Sequence, residues 1–194
     1  MMKLVVEQFG FRRHFSRAVA LATVMLASLA VAVTAAPVGR DFGWATYTSP
    51  GFDLNFDYPA RVFTTVDEDP TSELEPRIRD RAGRTFSTAD GRATLQVGAF
   101  QNVDRLDASG LRARALKTSY VGAQVEYDRL APNWFVLSGR RADEMFYERV
   151  TVTCGGRRID VWQMSYPMAE RAFFDRVVED MARKYRLALA NIKC

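Results

Sequence analysis

Between Asn133 and Pro167 the chain runs through two β-patterned stretches on either side of Gly155-Gly156, and this hairpin signal limits the possible folds more than any other feature. Val150 and Val152 alternate with Arg149 and Thr151 before the glycines, and Ile159 and Val161 alternate with Asp160 and Trp162 after them. Alternation at period two marks strands that turn one face to a core. A Gly-Gly pair admits the positive φ of a two-residue hairpin turn. With the glycines as the turn, Val152 is set opposite Ile159 and Val150 opposite Val161, while Thr151, Arg149 and Tyr147 meet Asp160, Trp162 and Met164 on the other face. A four-residue turn preserves the same parity. One face is apolar and the other mixed, and a sheet patterned in this way covers its apolar face with helices.

Two helices are predicted to supply that cover. Leu106, Asp107 and Leu111 take the places of the residue before the cap, the N-cap and the fourth helical position, a hydrophobic staple. Gly122 is placed to end this helix in a left-handed conformation. After Tyr166, "PMAERAFFDRVVEDMARKYR" carries Phe174, Val177, Val178, Met181 and Tyr185 at three- and four-residue spacing, an amphipathic helix with Pro167 suited to its first turn. Upstream, Phe52, Leu54 and Phe56 alternate with Asp53, Asn55 and Asp57 as a strand ended by Pro59, and Asp90-Gly91 sits between two further β-patterned runs as a second hairpin. The charged segment "TVDEDPTSELEPRIRDRAG" from Thr65 to Gly83 reads as a long exposed loop. The expectation is an α+β fold, a mainly antiparallel sheet with helices packed on it. No repeat, low-complexity run or linker divides residues 36–194, which are read as one domain.

Residues 1–35 read as a secretory signal peptide. Arg12, Arg13 and Arg17 precede a run from Ala18 to Val33 made almost wholly of Ala, Val and Leu, shorter than the roughly 20 residues a membrane-spanning helix needs. Small residues up to Ala35 place the cleavage after it. "FRRHF" at Phe11 to Phe15 partly matches a twin-arginine export signal, with Ser16 where a second apolar residue is usual, so the general secretory route is favoured and the twin-arginine route is the alternative. The expected location is the periplasm, with no membrane span after cleavage.

Export changes the charge argument. The full chain has 27 Lys and Arg against 23 Asp and Glu. Four of those bases (Lys3, Arg12, Arg13, Arg17) and one acid (Glu7) lie in the signal, leaving 23 against 22 and a net charge of +1. The sequence pI of about 9.3 therefore owes much to the signal and makes no case for nucleic acid. Cys154 and Cys194 remain in an oxidising compartment, where a disulfide closing a loop of about forty residues is expected and two unpaired thiols are the alternative.

On these residues the chain resembles small α/β sandwich domains of the PsbP-like group, and within it a module of exported alphaproteobacterial proteins. The resemblance rests on "DYPARVF" (Asp57 to Phe63), "FSTADGRATLQVGAF" (Phe86 to Phe100), "NWFVLSGRRADEMFYERV" (Asn133 to Val150) and "YPMAERAFFDRVVEDMARKYR" (Tyr166 to Arg186), and covers most of residues 43–186. These are structural signatures and none is a catalytic pattern. The group includes an extrinsic subunit of photosystem II and a binding partner of a nuclear-transport GTPase, so the resemblance implies docking rather than chemistry, by analogy of fold alone.

The sole histidine, His14, lies in the signal, which excludes Ser-His-Asp and Cys-His catalysis and imidazole metal ligation in the exported chain. The acids Asp67, Glu68, Asp69, Glu73 and Glu75 depart from the EF-hand order, since Ser72 stands at the glycine position and Ile78 at the bidentate acid, and they read as a solvated loop. Arg77, Arg79 and Arg81 beside them are interrupted by Asp80 and read the same way rather than as a patch for anionic lipid or cell-wall polymer. No pattern asks for a cofactor or a metal. A glycosidase-type pair of carboxyls is compatible with the absence of histidine, but the sequence picks out no pair.

Of the aromatic residues Trp134, Phe135, Phe146, Tyr147, Trp162 and Tyr166, most are expected in the core. Tyr147, Arg149 and Trp162, on the mixed hairpin face, either pack beneath a helix or form an exposed amphipathic patch with arginine over an aromatic ring, and they are the candidate binding residues. The expected function is a non-catalytic periplasmic binding or assembly module docking on an envelope protein. The alternative is a small-ligand carrier or carboxylate-based enzyme acting on a polar substrate. A flat exposed aromatic patch favours docking, and a deep pocket with converging acids favours the alternative.

Overall fold

The computed structural model describes residues 41–49, 54–67, 81–189 and 194. Residues 1–35, read above as a signal peptide, with the expected cleavage point, Phe52 and Asp53, and the acidic and arginine runs from Glu68 to Asp80 lie outside these residues. In chain order the described elements are β1 (Trp44–Ser49), β2 (Leu54–Pro59), β3 (Thr65–Asp67), β4 (Arg81–Ser87), β5 (Thr94–Gln101), α1 (Ala108–Thr118), β6 (Gln124–Ala131), β7 (Trp134–Arg141), β8 (Glu144–Thr153), β9 (Arg158–Pro167) and α2 (Arg171–Leu189). β1 and β2 pair antiparallel, and the other strands form one sheet in the order β3-β4-β5-β9-β8-β7-β6. All its pairs are antiparallel. From β5 the chain crosses through α1 to the far edge, then returns strand by strand until β9 closes against β5, which puts the most strongly β-patterned stretch at the centre.

The hairpin register follows the alternation: Val152 stands opposite Ile159, Val150 opposite Val161, Arg149 opposite Trp162 and Tyr147 opposite Met164. The turn is longer than the two glycines. Thr153 pairs with Arg158, so four residues, Cys154 to Arg157, make the connection, with a single 3-10 turn over Cys154–Gly156. Gly155 and Gly156 both take positive φ, as expected, and the even-numbered turn leaves the parity unchanged.

The two helices do not share a face. α2 lays Phe174, Val177, Met181 and Tyr185 over Leu95, Val97, Trp162 and Met164, and β2 adds Leu54 and Phe56 to that core. On the opposite face α1 brings Leu111, Ala115 and Leu116 against Phe135, Leu137, Phe146, Val150, Ile159 and Val161. The central strands are thus buried on both sides, and the mixed face is covered as well as the apolar one. The amphipathic pattern of α2 predicted its contact face correctly, since all five residues at the helical spacing are buried. Helical periodicity shows which side of a helix is apolar, but not which side of a sheet receives it.

Several local expectations need correction. Thr65–Asp67 and Arg81–Ser87 are paired strands, so both ends of the segment read as a loop belong to the sheet, with Val66 opposite Phe86. Asp107 caps α1 as expected, accepting the Gly110 N–H at 2.7 Å. The helix, however, ends at Thr118 with a right-handed cap at Ser119, and the positive φ of Gly122 serves the turn into β6. Pro167 ends β9 and precedes a 3-10 turn, Met168–Glu170, so α2 starts at Arg171. Cys154 and Cys194 form a disulfide with Cα atoms 5.3 Å apart, joining the β8–β9 turn to the last residue.

Candidate functional site: an apolar cleft over a buried carboxyl

α1 is positioned by polar ties at both ends and along one side. Asn102 is buried, donates to the carbonyls of Leu106 at 2.7 Å and Gly156 at 2.9 Å, and accepts the Leu106 N–H at 3.2 Å, locking the entry loop to the β8–β9 turn. Arg112 reaches Asp128 on β6, Nε to Oδ1 at 2.6 Å, and draws the helix toward the β6 edge. α1 accordingly packs on β6, β7 and β8. Beside it, over β5, β9 and the facing parts of β7 and β8, a cleft of about 680 Å³ is left, within the usual range of small-molecule sites.

The cleft is walled by Phe100, Leu111, Phe135, Val150, Ile159 and Val161, with polar groups of the entry loop and of α1 at its mouth. At its floor is Glu148, which is 2% exposed. Its neighbours across the ladder are the neutral Leu137 and Gln163. The Tyr120 hydroxyl neighbours the carboxyl and favours its ionised form, and the Tyr120 ring is stacked on Phe146 with centroids 4.5 Å apart. Glu148 Oε2 has no hydrogen-bond partner. Burial pushes the Glu148 carboxyl up to about 7, against the opposing effect of the Tyr120 hydroxyl. Burial likewise raises the Tyr120 hydroxyl, so it stays protonated and remains a donor. A carboxyl removed from water without a countercharge favours its neutral form, and an unmet buried acceptor is costly. A buried group of this kind lying in a cleft is a candidate for a functional site.

The three candidate binding residues are brought together, but not on the surface. Trp162 is fully buried and stacked on Tyr147 at 4.6 Å, beneath Phe56 and Tyr185. Arg149 is 6% exposed, with its guanidinium 4.4 Å over the Trp134 ring. Of the two arrangements expected for them, packing beneath a helix is the one found: arginine does lie over an aromatic ring, and α2 and β2 cover the face. Glu148 was missed, although a signal for it was present. Counting by twos along β8 places Phe146, Glu148, Val150 and Val152 on one side, so an acid stands in the apolar series and must be buried with it.

Among the described residues no group of three or more His, Cys, Asp or Glu side chains gathers to hold a metal ion, and no helix is long and apolar enough to cross a membrane. No family model and no curated protein matches the chain. Fold and cleft together describe an α+β domain that is covered on both sheet faces and carries an apolar cleft over the buried Glu148 carboxyl.

Proposed function

We propose that the chain is a periplasmic binding module with a PsbP-like α/β sandwich fold, and that it holds a small, largely apolar ligand between α1 and the sheet. The observation that carries this reading is the unpartnered Glu148 Oε2 at the floor of the 680 Å³ cleft. The loss of the exposed aromatic patch removes the main argument for docking, and the pocket with a buried acid favours the carrier. Binding is preferred to chemistry because a glycosidase-type pair needs two free carboxyls across a cleft. Here the second acid of the lining, Asp104, is 60% exposed and bound to Arg114 at 2.7 Å. The Cys154–Cys194 disulfide supports an oxidising compartment such as the periplasm.

The test is titration with a neutral apolar fluorophore, N-phenylnaphthylamine. Its emission should rise with the wild-type protein and stay low with Ala115→Trp, which fills the cleft from the helix side. Equal emission from both proteins would remove the cleft from consideration.

Docking on an envelope protein is the second reading, and the β6 edge supports it. Tyr127 and Leu130 are 49% and 46% exposed on this strand, whose outer side has no partner strand among the described residues. An extended segment of a partner can add there as a further strand. Crosslinking in the periplasm from position 127 should then capture one reproducible envelope protein, and background alone would count against docking.

A further inference from the structure

The carrier reading leaves the chemistry of the ligand open. Resting on that reading, we infer that the cleft takes an amphipathic amine, an apolar chain whose protonated head meets Glu148 Oε2. Three observations converge on this class. The walls over β5, β7 and β9 are hydrocarbon and aromatic, Phe100, Phe135, Ile159 and Val161, which suits an apolar body. The buried side-chain acceptor left open at the floor is Glu148 Oε2, and the neighbour that acts on this carboxyl is the neutral Tyr120 hydroxyl. The charges at the mouth cancel, since Arg114 is bound to Asp104 at 2.7 Å. Glu148 is then the charge of the lining that lacks a countercharge.

A cationic donor satisfies both deficits together. It supplies the missing hydrogen bond and offsets the cost of an ionised carboxyl in a low-dielectric site, where charge-assisted bonds are strongest. A fatty acid would bring a second negative charge to the same floor. An alcohol would supply a donor and leave the charge unpaired.

The groups facing Glu148 define how this pairing depends on pH. β7 and β9 present Leu137 and Gln163, the segment after α1 presents Tyr120, which stays protonated, and α1 and the entry loop present the paired Arg114 and Asp104. Arg141, at the end of β7, acts on Tyr120 and bonds the Ser119 carbonyl at 2.5 Å. The group that titrates near neutrality in this set is Glu148, at about 7. The amine-binding form is the ionised one, so apparent affinity follows the ionised fraction.

The test is calorimetric titration of the wild-type exported protein and Glu148→Gln with octylamine, octanol and octanoate, at pH 8 and pH 5.5. Octylamine should bind wild type at least tenfold more tightly than either other probe at pH 8, and should weaken roughly 30-fold at pH 5.5. Glu148→Gln should bind octylamine and octanol alike, with no such pH dependence. If octanol or octanoate binds wild type as well as octylamine does, the amine inference is overturned and the cleft stands as an apolar site. If none of the three binds wild type, both the inference and the carrier reading fall. Should Glu148→Gln not fold, the probe order and pH dependence of wild type decide the matter alone.

Discussion

The Arg149 guanidinium lies 4.4 Å from the centre of the Trp134 ring and 5.6 Å from that of Tyr185, held between a neighbouring strand and α2. Its Nε has no hydrogen-bond partner, so the two aromatic faces are a principal compensation for burying it. Arg149→Ala removes both the cation–π contacts and the packing of the side-chain stem. It should lower stability by about 2–4 kcal/mol. Arg149→Met, which keeps volume without charge, should lose less. Urea denaturation of the three proteins measures the order, and a neutral Arg149→Ala would show that the stacking contributes nothing.

The disulfide closes a loop with a sequence separation of 40. Loop-closure entropy for that length gives about 4 kcal/mol, within a usual range of about 2–4 kcal/mol. Cys154→Ser with Cys194→Ser should reduce the unfolding free energy by that amount in denaturant. Thiol labelling of the oxidised, denatured wild type should find no reactive cysteine.

Glu148 makes stability depend on pH in a direction opposite to that of most carboxylates. Its folded pKa, about 7, stands above the ordinary value of 4.5, so the unfolded chain releases this proton first. The contribution is complete below the unfolded value and is lost as pH rises through the folded one. Between pH 4.5 and 7 the wild type should therefore lose on the order of 3 kcal/mol relative to Glu148→Gln, and the difference should level off above that window. Denaturation of both proteins across pH 4.5 to 8 isolates Glu148, because every other titrating group is common to the pair. A constant difference would mean that the carboxyl is not desolvated.

Gly139 on β7 lies against the irregularity in β6, where pairing shifts between Val125 and Tyr127. A Cβ at this position would overlap the Gln124 carbonyl oxygen and stand 2.9 Å from the Val125 Cα, and both of these are backbone atoms. Gly139→Ala should displace β6, at a cost of at least about 1–3 kcal/mol. Hydrogen exchange should show lost protection in Gln124–Ala131 before any other strand.

Much of the scaffold was legible in the residues. The register of Val150 against Val161 and of Arg149 against Trp162 follows from a local alternation, and an even-numbered turn keeps it whatever the turn's length. The buried stripe of α2 and the Asp107 cap of α1 are local in the same way. Thr65–Asp67 was not legible as a strand, because its charged surroundings resemble a loop and its pairing partner lies some twenty residues away.

The site was legible only in half. Counting by twos puts Glu148 on the apolar side of β8 and Arg149 on the mixed one, and the residues alone determine that separation because side chains alternate across any strand. Which side each helix would cover is settled by packing between segments far apart in sequence. With α2 and β2 on the mixed face, Arg149 and Trp162 become core. With α1 tied to β6 through Arg112 and Asp128, space is left over β5, β9 and β8, and Glu148 lies at its floor.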